Sequence, residues 1–284
     1  GIDYVNSIVE TNLASRMAAG SIRFYQQATT LASVPINLIG VAISTAAFPQ
    51  MTERLSQGRP DLFKKELQTV LRVIIWLALP VATITFFTRG YLVNFLFNGG
   101  QPVVAGLLGI LSVAILFRSI YHIASRSFYA QKDTKTPLYI SIFTIGLNIA
   151  LAIYFTMVLD MDIYGLAWAQ SIVAAVEVFI LFAIMSLRIP QLFDAVFWHA
   201  VARMLSATGF TAVVTYLMVS MFALSADDQS FMSTFPKFSF IVVVSLGAYL
   251  MLCQLMKLSE SDMVIKRVRR LIFDPYRGKG PIGQ

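Results

Sequence analysis

Long apolar runs separated by short polar breaks make up most of this chain. A helix of about 20 apolar residues matches the hydrocarbon thickness of a bilayer. The pattern predicts eight helices, the first of them short, over residues 2–18, 22–49, 67–87, 103–123, 138–159, 163–187, 200–224 and 238–256. We therefore expect an all-α fold, a polytopic transmembrane helix bundle.

Two features near the start interrupt the regular pattern. The first predicted helix carries Asp3 and Glu10 among other polar residues and is too polar to face lipid on all sides. Gly20 and Ser21 then predict a break before the next helix. Inside that helix, Pro35 has no backbone N–H and predicts a kink. We expect the first helix to line an internal surface.

Composition supports a membrane protein. Hydrophobic residues make up 57% of the chain and charged residues 13%, against about 25% charged residues in a soluble domain. The net charge of +7 does not indicate nucleic acid as a partner, because the basic residues lie at the ends of apolar runs and form no face interleaved with aromatics. The single cysteine, Cys253, excludes a disulfide framework. Because the chain starts GIDYVNS, we expect a piece of a longer protein or a processed one.

The distribution of lysine and arginine predicts the orientation in the membrane. If the predicted helices alternate in direction, one side receives most of these residues: Arg54, Arg59, Lys64, Lys65, Arg126, Lys132, Lys135, Arg188, Lys266, Arg267, Arg269, Arg270, Arg277 and Lys279. The other side receives Arg89 and Lys237, together with Asp160, Asp162, Asp227 and Asp228. Lysine and arginine concentrate on the cytoplasmic side. We therefore expect a transmembrane lobe over residues 1–257 and a basic cytoplasmic tail over residues 258–284.

Patterns typical of enzymes are missing from the sequence. It contains no GxxxxGK[ST] phosphate loop, no paired carboxylates and no Ser/His/Asp arrangement. His122 and His199 lack partners at metal-ligand spacing and stand at the ends of predicted helices, where we expect an interfacial position. We expect neither an enzyme nor a metal site nor a bound cofactor. Any energy input should come from a sodium or proton gradient or from the membrane potential.

Two stretches of the chain resemble a known family. SFYAQKDTKTP resembles the FYxxxDxxTP loop between the tenth and eleventh helices of the MurJ (MviN) family of lipid II flippases. The matching residues are Phe128, Tyr129, Asp133, Thr136 and Pro137. Upstream, AAGSIRFYQQATTLASVPINLIGVAISTAAFPQMTE resembles the family's eighth helix. The spacing of the two stretches also agrees, and the resemblance covers almost the whole chain.

The resemblance implies one lobe of a two-lobe exporter, formed by helices seven to fourteen of fourteen, in the bacterial cytoplasmic membrane. The missing N-terminal lobe would be its partner, together with membrane lipids. The two lobes would enclose a cationic cavity for the head group of lipid II, and the last two helices would hold its polyprenyl tail. Alternating access would move the head group from the inner to the outer leaflet. Two alternatives stay open: a flippase for another polyprenyl-linked polysaccharide repeat unit, and a transport-inactive scaffold of envelope biogenesis.

The chain departs from the family in its eighth helix. Residues 27–30 read QATT, where family members carry Tyr-Ala followed by Asp-Arg. Arg23 lies two helical turns before Thr30 on the same face, and Arg16 lies near the end of the preceding helix. The resemblance makes Arg16, Arg23, Gln27 and Thr30 the candidate substrate-binding residues. Alternatively, both arginines flank the turn between the two helices and reach the outer interface.

Four polar residues at membrane depth are candidates for ion coupling or for a polar cavity, since an ionisable group at that depth suggests a function. Asp3 and Glu10 are seven residues apart and share one helix face. Asn148 matches a polar position that lies near a sodium site in the family. The residue one turn later, Ala152, has no oxygen ligand, so we expect Asn148 to form a hydrogen bond between helices. Glu177 stands alone in an apolar helix, either protonated or in contact with the missing lobe.

Overall fold

The computed structural model describes residues 20–97, 101–224, 231–258 and 260. These residues form helices and turns and contain no strand. The elements are α1 (Ser21–Pro35), π1 (Ile36–Val41), α2 (Ala42–Ser56), α3 (Pro60–Leu96), α4 (Pro102–Ala130), α5 (Lys135–Ile153), π2 (Tyr154–Val158), α6 (Tyr164–Arg188), α7 (Ala195–Met221) and α8 (Phe231–Leu255). Counting α1, π1 and α2 as one continuous helix, seven of these are long and apolar enough to cross a membrane. The predicted helical bundle is therefore confirmed for the described residues, and the predicted helix at residues 2–18 lies outside them.

Most of the observed helices are longer than the predicted apolar runs. The run predicted at 67–87 is part of α3, Pro60–Leu96, and the polar stretch predicted between two runs is helical apart from a turn at residues 57–59. Hydropathy detects the part of a helix at hydrocarbon depth, whereas backbone hydrogen bonding continues into the polar interface. The turns at 57–59, 131–134 and 189–194 lie together at what we call the basic end of the bundle, which carries Arg59 and Lys132.

The centre of the bundle is α4. In its most apolar stretch 56% of the residues are buried, compared with 22% in α5 and in α8. α4 packs against α3 and α6 along most of its length, and α1, π1 and α2 cross its remaining face. α5 and α8 are therefore the outer helices of the described lobe, and polar residues on α4 are the ones best placed to lie inside it.

The helix continues past Pro35, where the sequence predicts a kink, as a wider π-helical segment. Gly20, with φ of 94°, adopts the left-handed conformation directly before α1, which begins at Ser21, one residue before the predicted start. Pro35 donates no backbone hydrogen bond, and the chain continues directly after it as the π-helical segment π1. Gly40 in π1 lies so close to α4 that an added Cβ would stand 2.7 Å from Ser119 Cα and 2.9 Å from His122 Cδ2. The widened turn therefore brings α1 and π1 against the middle of α4.

α8 is held against α3 by hydrogen bonds near both of its ends. Asn94 Nδ2 of α3 donates to Thr234 Oγ1 at 3.2 Å. Closer to the C-terminal end of α8, Tyr249 Oη donates to the Trp76 carbonyl at 2.9 Å. These bonds fix α8 across α3, and the space between them is an apolar groove described below.

The loop motif recognised in the sequence fastens α5 to α6. Asp133 accepts hydrogen bonds from Thr136 Oγ1 at 2.6 Å, from Thr136 N at 3.0 Å and from Lys135 N at 3.1 Å. Arg188, the last residue of α6, forms an ion pair with Asp133 at 2.7 Å and donates to Thr136 Oγ1 at 2.9 Å. Its guanidinium also lies 5.0 Å from the centroid of the Phe128 ring. The motif thus sets the relative position of the two helices at the basic end.

The remaining residues of the motif are divided between the interior and the surface. Phe128 is fully buried and Pro137 is buried in the first turn of α5, whereas Tyr129 is 41% exposed. The contacts of Asp133 and Phe128 give the motif a structural role. A direct role of these residues in handling a substrate stays a prediction.

We predict that Gly40→Ala lowers the free energy of unfolding by about 1–3 kcal/mol, because the new methyl group overlaps the α4 backbone. Gly209→Ala in α7 is the matched control. A Cβ at Gly209 meets nothing within 4 Å, and alanine favours a helix over glycine by about 0.5–1 kcal/mol. Thermal melting of the purified protein in detergent measures both. Equal melting temperatures for the two variants would contradict the close approach of π1 to α4.

We predict that Asp133→Asn lowers the melting temperature by a few degrees at neutral pH and makes no difference in strong acid. The hydrogen bonds from Thr136, with the nearby Arg188, lower the pKa of Asp133 from 3.8 to about 2. The charged carboxylate therefore stabilises the folded protein above pH 4, and this stabilisation is lost as the pH falls from about 4 to about 2. Melting curves across this range should converge for the two proteins. Curves that keep a constant separation down to pH 2 would show that the charge of Asp133 is not what stabilises the loop.

Candidate functional site

An arginine and a glutamate form an ion pair in the middle of the bundle. Arg118 lies in the central part of α4 and Glu177 in the central part of α6, each about 17 Å along its helix from the basic end. Arg118 Nη1 donates to Glu177 Oε2 at 3.3 Å. The Glu177 side chain is 4% exposed and that of Arg118 is 28% exposed. The carboxylate is therefore enclosed, while part of the guanidinium stays accessible.

α5 supplies further hydrogen bonds to the same carboxylate. Ser141 Oγ donates to Glu177 Oε1 at 3.1 Å, and Thr144 Oγ1 donates to it at 3.3 Å. A buried carboxylate is stable only when it is paired and hydrogen-bonded, because transfer of its charge out of water is costly. Glu177 meets this requirement with partners from both neighbouring helices. Glu177 is alone within its own helix, as the sequence indicates, and α4 and α5 supply its partners.

A cavity of about 230 Å³ surrounds the pair on the α5 side, and we call it the inner cavity. It is lined by Arg118, Tyr121, His122, Ser141, Thr144, Ile145, Asn148, Val173 and Glu177. The prediction that His122 lies at an interfacial helix end was wrong, because α4 continues to Ala130 and holds His122 against this cavity. Asn148 lines the same cavity, as expected of a polar cavity residue, whereas Ala152 is buried in the apolar core beyond it.

A second polar space lies on the other side of Arg118, between α1, α4 and α6. This polar chamber measures about 390 Å³ and is lined by Thr29, Thr30, Ala32, Ser33, Ile36, Leu111, Ala114, Arg118 and Gln170. Tyr25 Oη of α1 donates to Gln170 Oε1 of α6 at 3.0 Å, which ties together the two helices that flank the chamber. Arg118 is the cation that lines both the polar chamber and the inner cavity.

The structure places the predicted substrate-binding residues along one face of α1. Thr30 lines the polar chamber, and Gln27, one turn earlier, is half-buried, with an Oε1 atom that accepts no hydrogen bond from the described residues. Arg23 is exposed, about 10 Å along the helix from Thr30. The remaining candidates, Arg16, Asp3 and Glu10, lie outside the described residues.

Sequence reasoning missed Arg118, the central residue of the site. The sequence does contain a signal for this residue, because Arg118 is a single charged residue inside the apolar run predicted at residues 103–123. An arginine at that depth suggests a function in the same way as a glutamate does. Its partner lies 59 residues further along the chain, so the pairing itself could not be read from a local pattern.

An apolar groove of about 530 Å³ lies on the opposite face of α1. It is lined by Leu31, Val34, Pro35, Leu38, Val81, Ile84, Thr85, Thr88, Leu92, Phe95, Leu96, Leu108, Phe238, Val242 and Leu246, which belong to α1, π1, α3, α4 and α8. Leu31 and Val34 face this groove, and their neighbours Thr30 and Ser33 face the polar chamber. A polar and an apolar space therefore lie at the same depth, separated by one helix.

Within the described part of the chain, no three His, Cys, Asp or Glu side chains come together as a metal site would require. The accessible charged group at the centre of the site is the guanidinium of Arg118, and a guanidinium binds anions. The arrangement is suited to holding a negatively charged group inside a membrane.

This chain is similar in sequence to a family of membrane proteins. Residues 1–236 match the family model described as "Lipid II flippase MurJ". The chain is 22% identical over 272 residues to a probable lipid II flippase MurJ of Thermotoga maritima, covering 94% of this chain and 52% of that protein. It is 31% identical over 141 residues to the lipid II flippase MurJ of Burkholderia cenocepacia, covering 48% of this chain and 27% of that protein. The chain thus spans about half the length of the first of these relatives.

Two solved structures share the fold. A lipid II flippase MurJ in an inward closed conformation matches with a TM-score of 0.74 at 21% identity, covering 90% of this chain and 51% of that one. An outward-facing multidrug resistance transporter of the MATE family matches with a TM-score of 0.60 at 10% identity, covering 96% of this chain and 69% of that one. Given the family match over most of its length, this multi-pass membrane protein belongs to the MurJ family of lipid II flippases.

Proposed function

We propose that this chain forms half of a flippase that moves lipid II from the inner to the outer leaflet of the bacterial cytoplasmic membrane by alternating access. Membership of the MurJ family supports the cargo and the mechanism. The observation that carries the proposal for this chain is Arg118, a partly accessible arginine at the middle of the bundle beside a polar chamber.

The chemistry of the cargo explains why an arginine is needed at this depth. Lipid II carries a diphosphate between its sugars and its polyprenyl tail, and a bare diphosphate cannot cross hydrocarbon because its charges lose their hydration. A guanidinium stays charged and binds phosphate oxygens through two parallel hydrogen bonds. In our proposal Arg118 binds the diphosphate, and the hydroxyl groups of Thr29, Thr30 and Ser33 contribute to the polar surface around it.

The position of the apolar groove supports a lipid as cargo. The polyprenyl tail must remain in an apolar environment while the head group is held in a polar one. In this lobe the two environments lie on opposite faces of α1, with Thr30 on one side and Leu31 on the other. We propose that the groove formed by α3, α8 and the apolar face of α1 receives the tail.

The orientation and the remaining partners follow from the same proposal. The basic end of the bundle faces the cytoplasm. Leu258 and Glu260 are buried in the bundle, and the basic residues that follow them form a cytoplasmic tail near anionic lipids. An N-terminal lobe completes the central cavity opposite the polar chamber. Transport draws its energy from a sodium or proton gradient or from the membrane potential, and no step requires catalysis by the chain.

We predict that Arg118→Gln lowers the exposure of lipid II at the outer leaflet at least about tenfold, since a charge-assisted hydrogen bond contributes about 1.5–3 kcal/mol. Arg118→Lys should lose less, because it keeps the charge without the planar fork. The measurement uses cells whose own flippase is switched off and that depend on this protein, with lipid II detected by an external enzyme that cleaves its diphosphate. Arg89→Gln, which removes an arginine of α3 outside the chamber, is the matched control.

Loss of folding is separated from loss of transport by a double variant. Arg118→Gln leaves the Glu177 charge buried without its cation, which destabilises a protein by about 3–5 kcal/mol. Arg118→Gln combined with Glu177→Gln removes both charges and should restore membrane levels without restoring transport. Wild-type transport by the double variant would rule out Arg118 as the diphosphate ligand. A different result would favour the alternatives. If the unchanged protein is present at normal levels and no lipid II reaches the outer leaflet, the cargo is another polysaccharide repeat unit or the protein is a scaffold without transport.

Arg23→Ala tests the arginine that the sequence proposes, in the same cells. If Arg23 lines the path of the head group, exposure of lipid II should fall while the amount of protein in the membrane stays the same, and Arg23→Lys should restore part of it. If Arg23 only anchors the start of α1 at the interface, Arg23→Ala should transport like the wild type. Comparison with Arg118→Gln decides which of the two arginines binds the head group.

A further inference from the structure

Glu177 and any anion in the polar chamber share one cation. The guanidinium of Arg118 lines the chamber on one side and contacts Glu177 Oε2 at 3.3 Å on the other. This contact uses the Nη1 atom of a guanidinium that carries five N–H donors, and 28% of the Arg118 side chain is exposed, so donors remain for an anion in the chamber. An anion that reaches these groups is brought close to a carboxylate that is already buried.

An anion at this distance makes the charged form of Glu177 less stable. A second anion at the same guanidinium repels the carboxylate and takes up part of the charge that compensates it. Bulk water reaches only 4% of the side chain, so hydration replaces little of that compensation. The charged form of Glu177 therefore becomes less favourable when the chamber is occupied.

The neutral form of Glu177 fits the same surroundings. Ser141 and Thr144 donate to Oε1 when the side chain is a carboxylate. A hydroxyl group also accepts hydrogen bonds, so either residue can accept one from a protonated Glu177 while the other continues to donate. The two protonation states thus keep hydrogen-bond partners without a change of helix position.

The other groups that face Glu177 limit where a proton can go. The groups from α4 are Arg118, Tyr121 and His122. The groups from α5 are Ser141, Thr144 and Asn148, and these three side chains carry no charge. Arginine does not lose its proton, and tyrosine ordinarily loses one only near pH 10. His122 is the other side chain of this lining with a site for a proton, and Glu177 is the one in direct contact with Arg118.

We propose that binding of a diphosphate head group at Arg118 makes Glu177 take up one proton, which it releases when the head group leaves. This inference rests on the proposed function of Arg118. An O–H bond forms on a Glu177 carboxylate oxygen, the proton comes from bulk water on the side to which the chamber is open, and no bond of the lipid changes. Each transported head group would then carry one proton outward with it, so an inward-directed proton gradient would oppose this step. In this inference the energy for transport therefore comes from the membrane potential or from a sodium gradient.

The experiment measures proton uptake and affinity together. The full-length protein in lipid nanodiscs is titrated with undecaprenyl diphosphate in weak buffer, and a pH-sensitive dye counts the protons taken up. Undecaprenol, which has the same tail without the anion, is the blank. We expect the wild type to take up about one proton more per bound diphosphate than Glu177→Gln. As the pH rises, the affinity of the wild type for the diphosphate should therefore fall by up to about tenfold per pH unit more than that of Glu177→Gln. Glu53→Gln, an exposed carboxylate of α2, and His122→Gln should both behave as the wild type.

The outcomes separate the inference from the proposed function. Equal proton uptake by the wild type and Glu177→Gln, or loss of uptake in His122→Gln, overturns the inference and leaves the proposed function intact. Failure of the wild type to bind undecaprenyl diphosphate overturns both. If Glu177→Gln does not fold, infrared difference spectra of the wild type decide. A carboxylic-acid carbonyl band that appears with undecaprenyl diphosphate supports the inference, and its absence overturns it.

Discussion

A charge inside hydrocarbon must be compensated by another charge or by hydrogen bonds, and this constraint organises the centre of the lobe. Arg118 and Glu177 compensate one another across the interface of α4 and α6, and two hydroxyl groups of α5 complete the shell of the carboxylate. Three helices are therefore joined at mid-depth by polar contacts that lipid cannot replace. The position of the arginine beside the polar chamber is a consequence of this arrangement.

The approach of α1 to the same region depends on backbone geometry. A π-helical segment follows Pro35, and Gly40 within it allows the backbone to touch α4 next to His122. The hydroxyl groups of α1 are thereby brought opposite Arg118. At the basic end, the ion pair of Asp133 with Arg188 sets the position of α5 relative to α6, which in turn places Ser141 and Thr144 against Glu177.

One helix, α1, separates a polar space from an apolar space, and these suit the two ends of an amphipathic lipid. Its polar face contributes to a chamber with a cation, and its apolar face contributes to a groove between α3 and α8. In the proposed function the head group and the tail of the cargo follow these two spaces. Because an anion in the chamber and Glu177 would both contact Arg118, binding of the anion would change the protonation of Glu177.

The sequence by itself determined the membrane class, the seven long helices, the direction of the charge asymmetry and the family. These properties depend on the hydropathy of continuous segments and on short motifs, which are local along the chain. It also identified Glu177 and Asn148 as polar residues at membrane depth, and the inner cavity contains both. Helix ends were less well predicted, because hydropathy does not report the backbone hydrogen bonds that extend α3 into the interface.

Only the tertiary structure decided which polar groups meet. Arg118 and Glu177 are 59 residues apart, and Tyr25 and Gln170 are 145 residues apart. Whether Glu177 was isolated or paired, and whether His122 faced an interface or a cavity, depended on the rotation and packing of α4 and α6. Many rotations of an apolar helix have a similar free energy in lipid, whereas contacts between helices select one of them. The site is for that reason a property of the packed bundle.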